Sequence, residues 1–141
     1  YLNGDVQFME SNTPDWFTIP GTNRDMRCRD ITSHSKKSTI WQCEVLGKIP
    51  IEEVVMDWHS HPSQKERLTV NSGEVNLEVE VNNIWTRIVC KILDIPRCHF
   101  KRTVILKEGD VFTIHEHEYH RVIGNNKGGN FMIDWHPKVM I

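Results

Sequence analysis

The stretch "DWHSHPSQKER" (residues 57–67) carries two histidines and a glutamate within eight positions. His59 and His61 are two residues apart, so on a β-strand their side chains leave the same face. Glu66 follows after an odd offset of five, which on one straight strand would place it on the opposite face. The turn residues "PSQK" (62–65) separate two strands, so Glu66 opens the second strand and can face the two histidines.

The residues after the turn place Glu66 on the buried side of its strand, because it alternates in phase with Leu68 and Val70. A buried carboxylate without a partner is costly, and a metal ion or another cation relieves that cost. Two neutral imidazoles and a carboxylate are a suitable partial ligand set for a divalent transition metal. We therefore expect a metal site that includes His59, His61 and Glu66.

From residue 39 onward the pattern indicates short strands separated by turns, with no convincing long amphipathic helix. The predicted strands are 39–47, 52–61, 66–70, 74–81, 84–93, 101–107, 111–114, 120–124 and 130–137. Many short strands with frequent turns are typical of an all-β sandwich or barrel. The inward positions are mainly apolar and predict an apolar cavity or core: Leu68, Val70, Phe112, Ile114, Val122, Phe131 and Ile133.

The segment "EVNLEVEV" (74–81) alternates without a break. Its valines and leucine are predicted to face inward, and its polar residues outward, namely Glu74, Asn76, Glu78 and Glu80. "NSG" (71–73) before it is predicted to be a turn, and "NN" (82–83) after it a hairpin turn. The following residues 84–93 are predicted to form a further strand.

The first 38 residues are rich in turn formers and predict an irregular N-terminal arm. Trp16, Phe17 and Ile19 are the side chains expected to pack this arm onto the body. We expect residues 1–38 to be the arm and residues 39–141 to be the barrel, within a single domain.

The composition limits the classes of function. The chain has 141 residues, of which 38% are hydrophobic and 26% charged, and a formal net charge of −2. The length suits one domain with one core. The small net charge predicts no nucleic-acid or anionic-membrane partner. No apolar run approaches the roughly 20 residues of a transmembrane helix.

The cysteines give a weak indication of compartment. The sequence contains no CxxC pair, and the spacings of its four cysteines fit no zinc-binding pattern. The cysteines are Cys28, Cys43, Cys90 and Cys98. With no glycosylation sequon and no signal peptide, the chain is expected to be intracellular and cytoplasmic, with free buried thiols that share no role. Because it does not begin with Met, we expect it to be part of a longer protein.

Two motifs resemble those of the cupin superfamily. Residues 59–73 match its first motif, H-x-H-(x3–4)-E-(x6)-G, through Gly73. Residues 109–124 keep the frame of the second motif, G-(x5)-P-x-G-(x2)-H-(x3)-N. The resemblance implies that His59, His61, Glu66 and His120 are the four metal ligands. It also implies a double-stranded β-helix, which is a cupin-type jelly-roll barrel.

The chain departs from the second motif at three positions. His115 and His117 replace its proline and second glycine, and Gly124 replaces its asparagine, although Asn125 is adjacent. These two histidines could be extra ligands or a proton shuttle, but turn or rim positions are favoured. In the first motif, Glu53 replaces the opening glycine. The 35 residues 74–108 between the motifs exceed those of a minimal cupin, and we expect residues 84–100 within them to add a hairpin or an extended strand pair.

The resemblance favours an enzyme over a binding protein. Three imidazoles and one carboxylate leave coordination positions open on Fe(II), the favoured ion, or on Mn, Ni, Co or Zn. The favoured function is a small-molecule oxygenase or dioxygenase, with Glu66 as the catalytic residue. The alternatives are a metal-dependent isomerase or epimerase on a sugar-like substrate, and a non-enzymatic ligand-sensing module of a larger protein.

The resemblance also implies a homodimer. Candidate substrate-binding residues are Gln64, Arg67, His117, Tyr119 and Trp135.

Overall fold

The computed structural model describes residues 4–8, 15–18, 26–33, 37–47, 49–51, 53–81, 83–96 and 99–140. Within these ranges the elements are β1 (Gln7–Phe8), β2 (Met26–Asp30), β3 (Thr39–Val45), β4 (Val54–His59), β5 (Lys65–Glu80), α1 (Ile84–Leu93), β6 (Lys101–Lys107), β7 (Val111–Ile114), β8 (His120–Ile123), β9 (Gly129–His136) and β10 (Val139–Met140).

Two antiparallel sheets form the barrel, and the 16-residue strand β5 belongs to both. The first half of β5 lies between β9 and β7, and β9 continues the sheet through β3 to β2. The second half lies between β6 and β8, and β8 pairs with β4. The expected all-β jelly-roll architecture is therefore confirmed.

The predicted turn at "NSG" is wrong, because β5 runs through it. A shift in the β5–β9 register between Val70 and Ser72 marks a β-bulge there. Gly73 has a φ of 72°, and a Cβ atom at this position would lie 2.2 Å from the carbonyl oxygen of Gly128. Glycine is therefore required for the bend that carries β5 from one sheet to the other.

The predicted outward polar residues of β5 are also corrected, because Asn76, Glu78 and Glu80 are buried. Glu78 accepts hydrogen bonds from Arg121 and forms an ion pair with Lys101 at 2.8 Å. Neighbouring elements cover this face, so its polar groups find partners from the chain instead of water.

Residues 84–93 form helix α1, so the predicted strand and the expected hairpin are wrong. The Asn83 side chain accepts a hydrogen bond from the Thr86 backbone N–H, and Thr86 Oγ1 accepts one from the Asn83 N–H. This capping box satisfies backbone donors at the start of the helix. The β-branched residues of α1 favoured the strand interpretation, and the cap outweighs them here. No helix in the described parts of the chain is long and apolar enough to cross a membrane.

The core fills the space between the two sheets. Of the predicted inward residues, six are buried and Phe112 is partly buried against them. The region before residue 39 contributes β2, which pairs with β3 along its whole length. Phe17 packs edge-to-face on Trp41, with ring centroids 5.0 Å apart. Ile19 lies outside the described residues.

Candidate metal centre

Four side chains from the two sheets meet inside the barrel. His59 ends β4 and is the register partner of His120, which begins β8. His61 follows β4 by two residues, and Glu66 lies near the start of β5 on the first sheet. One ligand atom from each of these residues lies within 4.8 Å of the others, and all four residues are at most 3% exposed.

Backbone carbonyl groups fix the orientation of the three imidazole rings. Each ring donates its Nδ1–H to a backbone carbonyl oxygen. His59 donates to Asp57 O at 2.6 Å and His61 to Gly4 O at 2.7 Å. His120 donates to Glu118 O at 3.0 Å. A carbonyl oxygen can only accept, so Nδ1 carries the proton and Nε2 of the neutral ring keeps its lone pair. Such hydrogen bonds are typical of metal-ligating histidines.

The side-chain atoms of the cluster fit a divalent metal ion. The Nε2 atoms of His61 and His120 are buried, and they make no hydrogen bond within the described residues. They lie 3.4 and 3.1 Å from the oxygens of Glu66, without the geometry of a hydrogen bond. Buried polar atoms normally have a partner, and a cation at the centre of the cluster would be that partner.

Trp135 holds the carboxylate of Glu66. Its indole Nε1 donates to Glu66 Oε1 at 2.8 Å, and the two residues are register partners on β9 and β5. Trp135 is buried and packs edge-to-face on Trp41, with centroids 4.8 Å apart. Because Oε1 is engaged by the indole, Oε2 is the oxygen left to face His120.

Burial and mutual charge shift the pKa values in the cluster. Burial and the nearby His120 together lower the pKa of His59 to about 3, although the charge of Glu66 acts in the opposite direction. Burial raises the pKa of Glu66, but His120 and His61 outweigh burial and hold it well below its usual value. Burial lowers the pKa of His120, but the charge of Glu66 outweighs this and raises it. These opposite shifts arise because Glu66 and His120 lie close enough for each to favour the charged form of the other.

Solved structures with a similar fold include proteins of the cupin class. No family model matches the chain, and no curated protein matches it in sequence. KdgF from Halomonas sp. superposes with a TM-score of 0.57 at 14% identity, over 88% of each chain. HppE in its Fe(II) form gives 0.59 at 11% identity, over 93% of this chain and 59% of HppE. Oxalate decarboxylase from Lactobacillus farciminis gives 0.59 at 13% identity, over 89% and 31%.

The chain has the cupin fold. The resemblance noticed in the two sequence motifs is confirmed at the level of the fold. In this chain the first motif supplies His59, His61 and Glu66 to the cluster, and the second motif supplies His120.

The departures from the second cupin motif occur in two tight turns. His117 has a φ of 66°, its backbone N–H donates to His61 O, and its side chain is exposed, as is that of His115. Gly124 is buried, and a Cβ there would lie 2.4 Å from Pro50 O. The adjacent Asn125 accepts hydrogen bonds from the N–H groups of the turn that follows it and donates to Glu74 O.

The other candidate substrate residues are spread over the molecule. Gln64 is buried, but its amide bonds the backbone of Val6 and Pro137. Arg67 is exposed on the outer side of β5, where it lines a cleft of about 510 Å³ with Lys65, Thr113, Asp134 and other residues. Tyr119 is half-buried beside His120, and its backbone N–H donates to Glu80. The structure thus brings Trp135 into direct contact with the ligands and Tyr119 next to one.

Sequence reasoning did not find the carbonyl groups that orient the histidines. Two of them have a local signal, because His59 and His120 each donate to the carbonyl two residues earlier. Gly4 is 57 residues from His61 and has no such signal. Trp135 was expected to bind the substrate, and its hydrogen bond to Glu66 was not anticipated.

Proposed function

We propose that this cupin is a divalent-metal enzyme acting on a small organic molecule, and specifically an Fe(II)-dependent oxygenase. The observation that carries the proposal is the set of three imidazole lone pairs and one carboxylate aimed at a single buried point. A structural zinc site would more often use cysteine thiolates and leave no position open.

His59, His61, Glu66 and His120 are the residues that would hold the ion. When bound, a divalent ion supplies a Lewis acid, and iron supplies a redox centre as well. With four protein ligands, a six-coordinate ion keeps two positions for small molecules. Glu66 would offset part of the ion's charge, and Oε2 is the oxygen that the Trp135 indole leaves without a hydrogen bond.

We propose Glu66 as the catalytic residue as well as a ligand. It is the carboxylate of the cluster, and its Oε2 is not engaged by Trp135. The neighbouring imidazoles keep its pKa well below the usual value, although burial acts in the opposite direction. Glu66 therefore stays ionised, and it would accept a proton from a bound substrate at Oε2 when that oxygen is detached from the ion.

The similar structures support a divalent metal ion and a small-molecule substrate for this chain. HppE has been crystallised in Fe(II) and Co(II) forms, also with substrates, and oxalate decarboxylase with formate. We therefore rank Fe(II) first for this chain and keep Co, Mn, Ni and Zn as alternatives. His117 and Tyr119, in the loop next to His61 and His120, are the residues we propose to contact the substrate.

Metal analysis of protein purified without chelator tests the site. We expect about one divalent ion per chain in the wild type and almost none in His61→Ala, which loses one of four ligands. His136→Ala is the matched control, because His136 is exposed and outside the cluster. Equal, negligible metal in the wild type and His61→Ala would exclude a metal-dependent function.

Oxygen uptake then tests the reaction class. Anaerobically reconstituted Fe(II) protein is mixed with oxygen and a panel of small organic acids, with Zn(II) protein as the redox-inert control. Uptake that depends on both iron and one of the compounds supports the oxygenase. Turnover of a sugar-like compound by the Zn(II) or Mn(II) form without oxygen would instead support the isomerase or epimerase. Binding without turnover would support the ligand-sensing module.

We also propose that the protein forms a homodimer through helix α1. The helix leaves large apolar side chains in water, and Trp85 and Ile92 are each 73% exposed. Contiguous apolar patches of this kind usually mark interaction surfaces.

Light scattering should give the mass of a dimer for the wild type and of a monomer for Trp85→Glu. Ile51→Glu, at an exposed apolar position outside α1, should remain dimeric. A monomeric wild type would contradict the proposal.

A further inference from the structure

Two cysteine sulfurs are in close contact between strands β2 and β3. The Sγ atoms of Cys28 and Cys43 lie 2.9 Å apart, and both thiols are free. Both residues are buried, at 1% and 0% exposure. They are register partners in the antiparallel pairing of the two strands, so the strands themselves impose the contact.

The backbone hydrogen bonds explain why the two side chains approach each other. The N–H and C=O groups of Cys28 bond Phe17, on the side away from β3. Cys28 and Cys43 therefore form a non-hydrogen-bonded pair of the β2–β3 ladder. In such pairs the Cα atoms are about 4.5 Å apart and the side chains are closest. That spacing lies within the range of about 4.4–6.8 Å found across disulfides.

We propose that Cys28 and Cys43 are a dithiol that oxidises to a cross-strand disulfide. The reaction breaks two S–H bonds and forms one S–S bond, and two electrons and two protons leave the protein. A low-molecular-weight disulfide such as glutathione disulfide accepts them and becomes two thiols, through a mixed disulfide on one cysteine. The proposal is independent of the metal site, because neither residue is a ligand.

The disulfide would link the edge strand β2 to β3, the next strand of the sheet. β2 is the last strand of its sheet and pairs with β3 on one side, with a single bridge from Phe17 on the other. Cys28 and Cys43 are 15 residues apart in sequence. A cross-link that closes a loop of this size restricts the unfolded chain and stabilises the fold.

Cys90 provides an internal comparison. It is a buried thiol like the other two, but it lies on α1 and its thiol donates to Pro96 O at 3.6 Å. In the described residues, no other cysteine sulfur lies against it. Burial alone therefore predicts equal behaviour of all three thiols, whereas the proposal predicts that Cys28 and Cys43 react together and Cys90 does not.

Mass spectrometry, before and after digestion, tests for the Cys28–Cys43 disulfide. The folded protein is equilibrated with glutathione disulfide or with reduced glutathione, alkylated, and digested under non-reducing conditions. We expect the oxidised sample to lose two hydrogens and to yield a peptide pair joined through Cys28 and Cys43. The same product is expected from Cys90→Ser and not from Cys28→Ser. In the sample treated with glutathione disulfide, alkylation of both thiols, stable glutathione adducts, or links to Cys90 or Cys98 would overturn the proposal.

Thermal unfolding of the wild type gives a second readout that needs no variant to fold. Oxidised protein should melt higher than reduced protein, by about 5–10 °C for a loop of this length. Addition of a reductant should restore the lower melting temperature. A cross-linked protein that melts at the same temperature as the reduced protein would contradict the proposed stabilisation of β2 against β3.

Discussion

At the residue scale, the candidate metal centre depends on which nitrogen each histidine leaves free. The sequence places His59, His61 and His120 at the right spacing, but spacing does not choose between Nδ1 and Nε2. Three carbonyl groups make that choice by accepting the Nδ1 protons. The same principle applies to Glu66, whose two oxygens become unequal because Trp135 donates to one of them.

Replacement of Trp135 should weaken metal binding without unfolding the barrel. Trp135→Phe removes the N–H that holds Glu66 Oε1 and keeps an aromatic ring against Trp41. We expect the metal dissociation constant to rise about tenfold, as is usual for lost hydrogen bonds to metal ligands. Competition with a coloured chelator measures this. Trp58→Phe is the control, since Trp58 stacks on Arg121 outside the cluster. Equal affinities in all three proteins would contradict the positioning role.

Glu78 should make stability depend on pH in the acidic range. Burial raises the pKa of Glu78, but Lys101 and Arg121 outweigh it and lower the pKa below its ordinary value of 4.5. A carboxyl group with a depressed folded pKa stabilises the fold above its unfolded pKa and loses that contribution as pH falls through the folded pKa. Glu78→Gln should therefore cost about 2 kcal/mol at pH 7 and progressively less below about pH 4.5.

Urea unfolding at pH 7 and near pH 3.5 measures the difference between wild type and Glu78→Gln. Glu108→Gln, at an exposed turn, controls for the loss of a negative charge and should change little at either pH. A difference for Glu78→Gln that is the same at both pH values would show that the ion pairs with Arg121 and Lys101 do not carry the effect.

At the scale of elements, the long strand β5 brings the two halves of the metal centre together. Its first half carries Glu66, and its second half pairs with β8, which begins with His120. The bulge before Gly73 carries the strand from one sheet to the other. Local sequence indicated a break at "NSG", and this was correct in position but wrong in kind, because a bulge and a turn use the same residue types.

Gly73→Ala should destabilise the barrel much more than Gly109→Ala. Both glycines have a positive φ, 72° and 87°, so both substitutions strain the backbone by about 1–2 kcal/mol. A Cβ at Gly73 would also lie 2.2 Å from Gly128 O, whereas nothing lies within 4 Å of a Cβ at Gly109. We expect Gly73→Ala to cost roughly 2 kcal/mol more than its control in urea unfolding. Similar losses for both would indicate that the close approach to Gly128 relaxes freely.

In helix α1 the sequence prediction was wrong about the type of secondary structure. Its residues were predicted to be a strand because isoleucine, valine and tryptophan favour strands in general. The hydrogen bonds between Asn83 and Thr86 and the left-handed Asp94 at the other end define a ten-residue helix instead. Residues 83–86 contain this capping box, but Thr86 stands where the usual capping-box pattern has Glu or Gln, so the sequence pattern was not recognised.

At the scale of the whole molecule, the candidate metal centre combines residues from the two sheets. His59 and His120 come from one sheet and Glu66 from the other, so an ion bound to all of them connects β4, β5 and β8. The unfolded chain does not hold these residues together, so binding free energy adds to the free energy of unfolding.

A saturating divalent metal should therefore raise the melting temperature of the wild type. At a free metal concentration of 100 times Kd the gain is about 2.7 kcal/mol, which corresponds to roughly 5–10 °C. Differential scanning calorimetry with Co(II) or Zn(II), before and after addition of a chelator, measures it. His61→Ala should show almost no shift. An equal shift in His61→Ala would mean that the metal binds elsewhere.

The sequence by itself determined the all-β class, most strand positions and the four residues of the candidate metal centre. Those features depend on short-range patterns: alternation along a strand, turn residues, and the fixed spacings of the two motifs. Tertiary structure decided what depends on contacts between distant segments. It buried the polar face of β5, bent that strand at Gly73, and supplied Gly4 O and the Trp135 indole to orient His61 and Glu66. These partners are 57 and 69 residues away in sequence. No local pattern specifies such pairs, because only the closed barrel brings them within hydrogen-bonding distance.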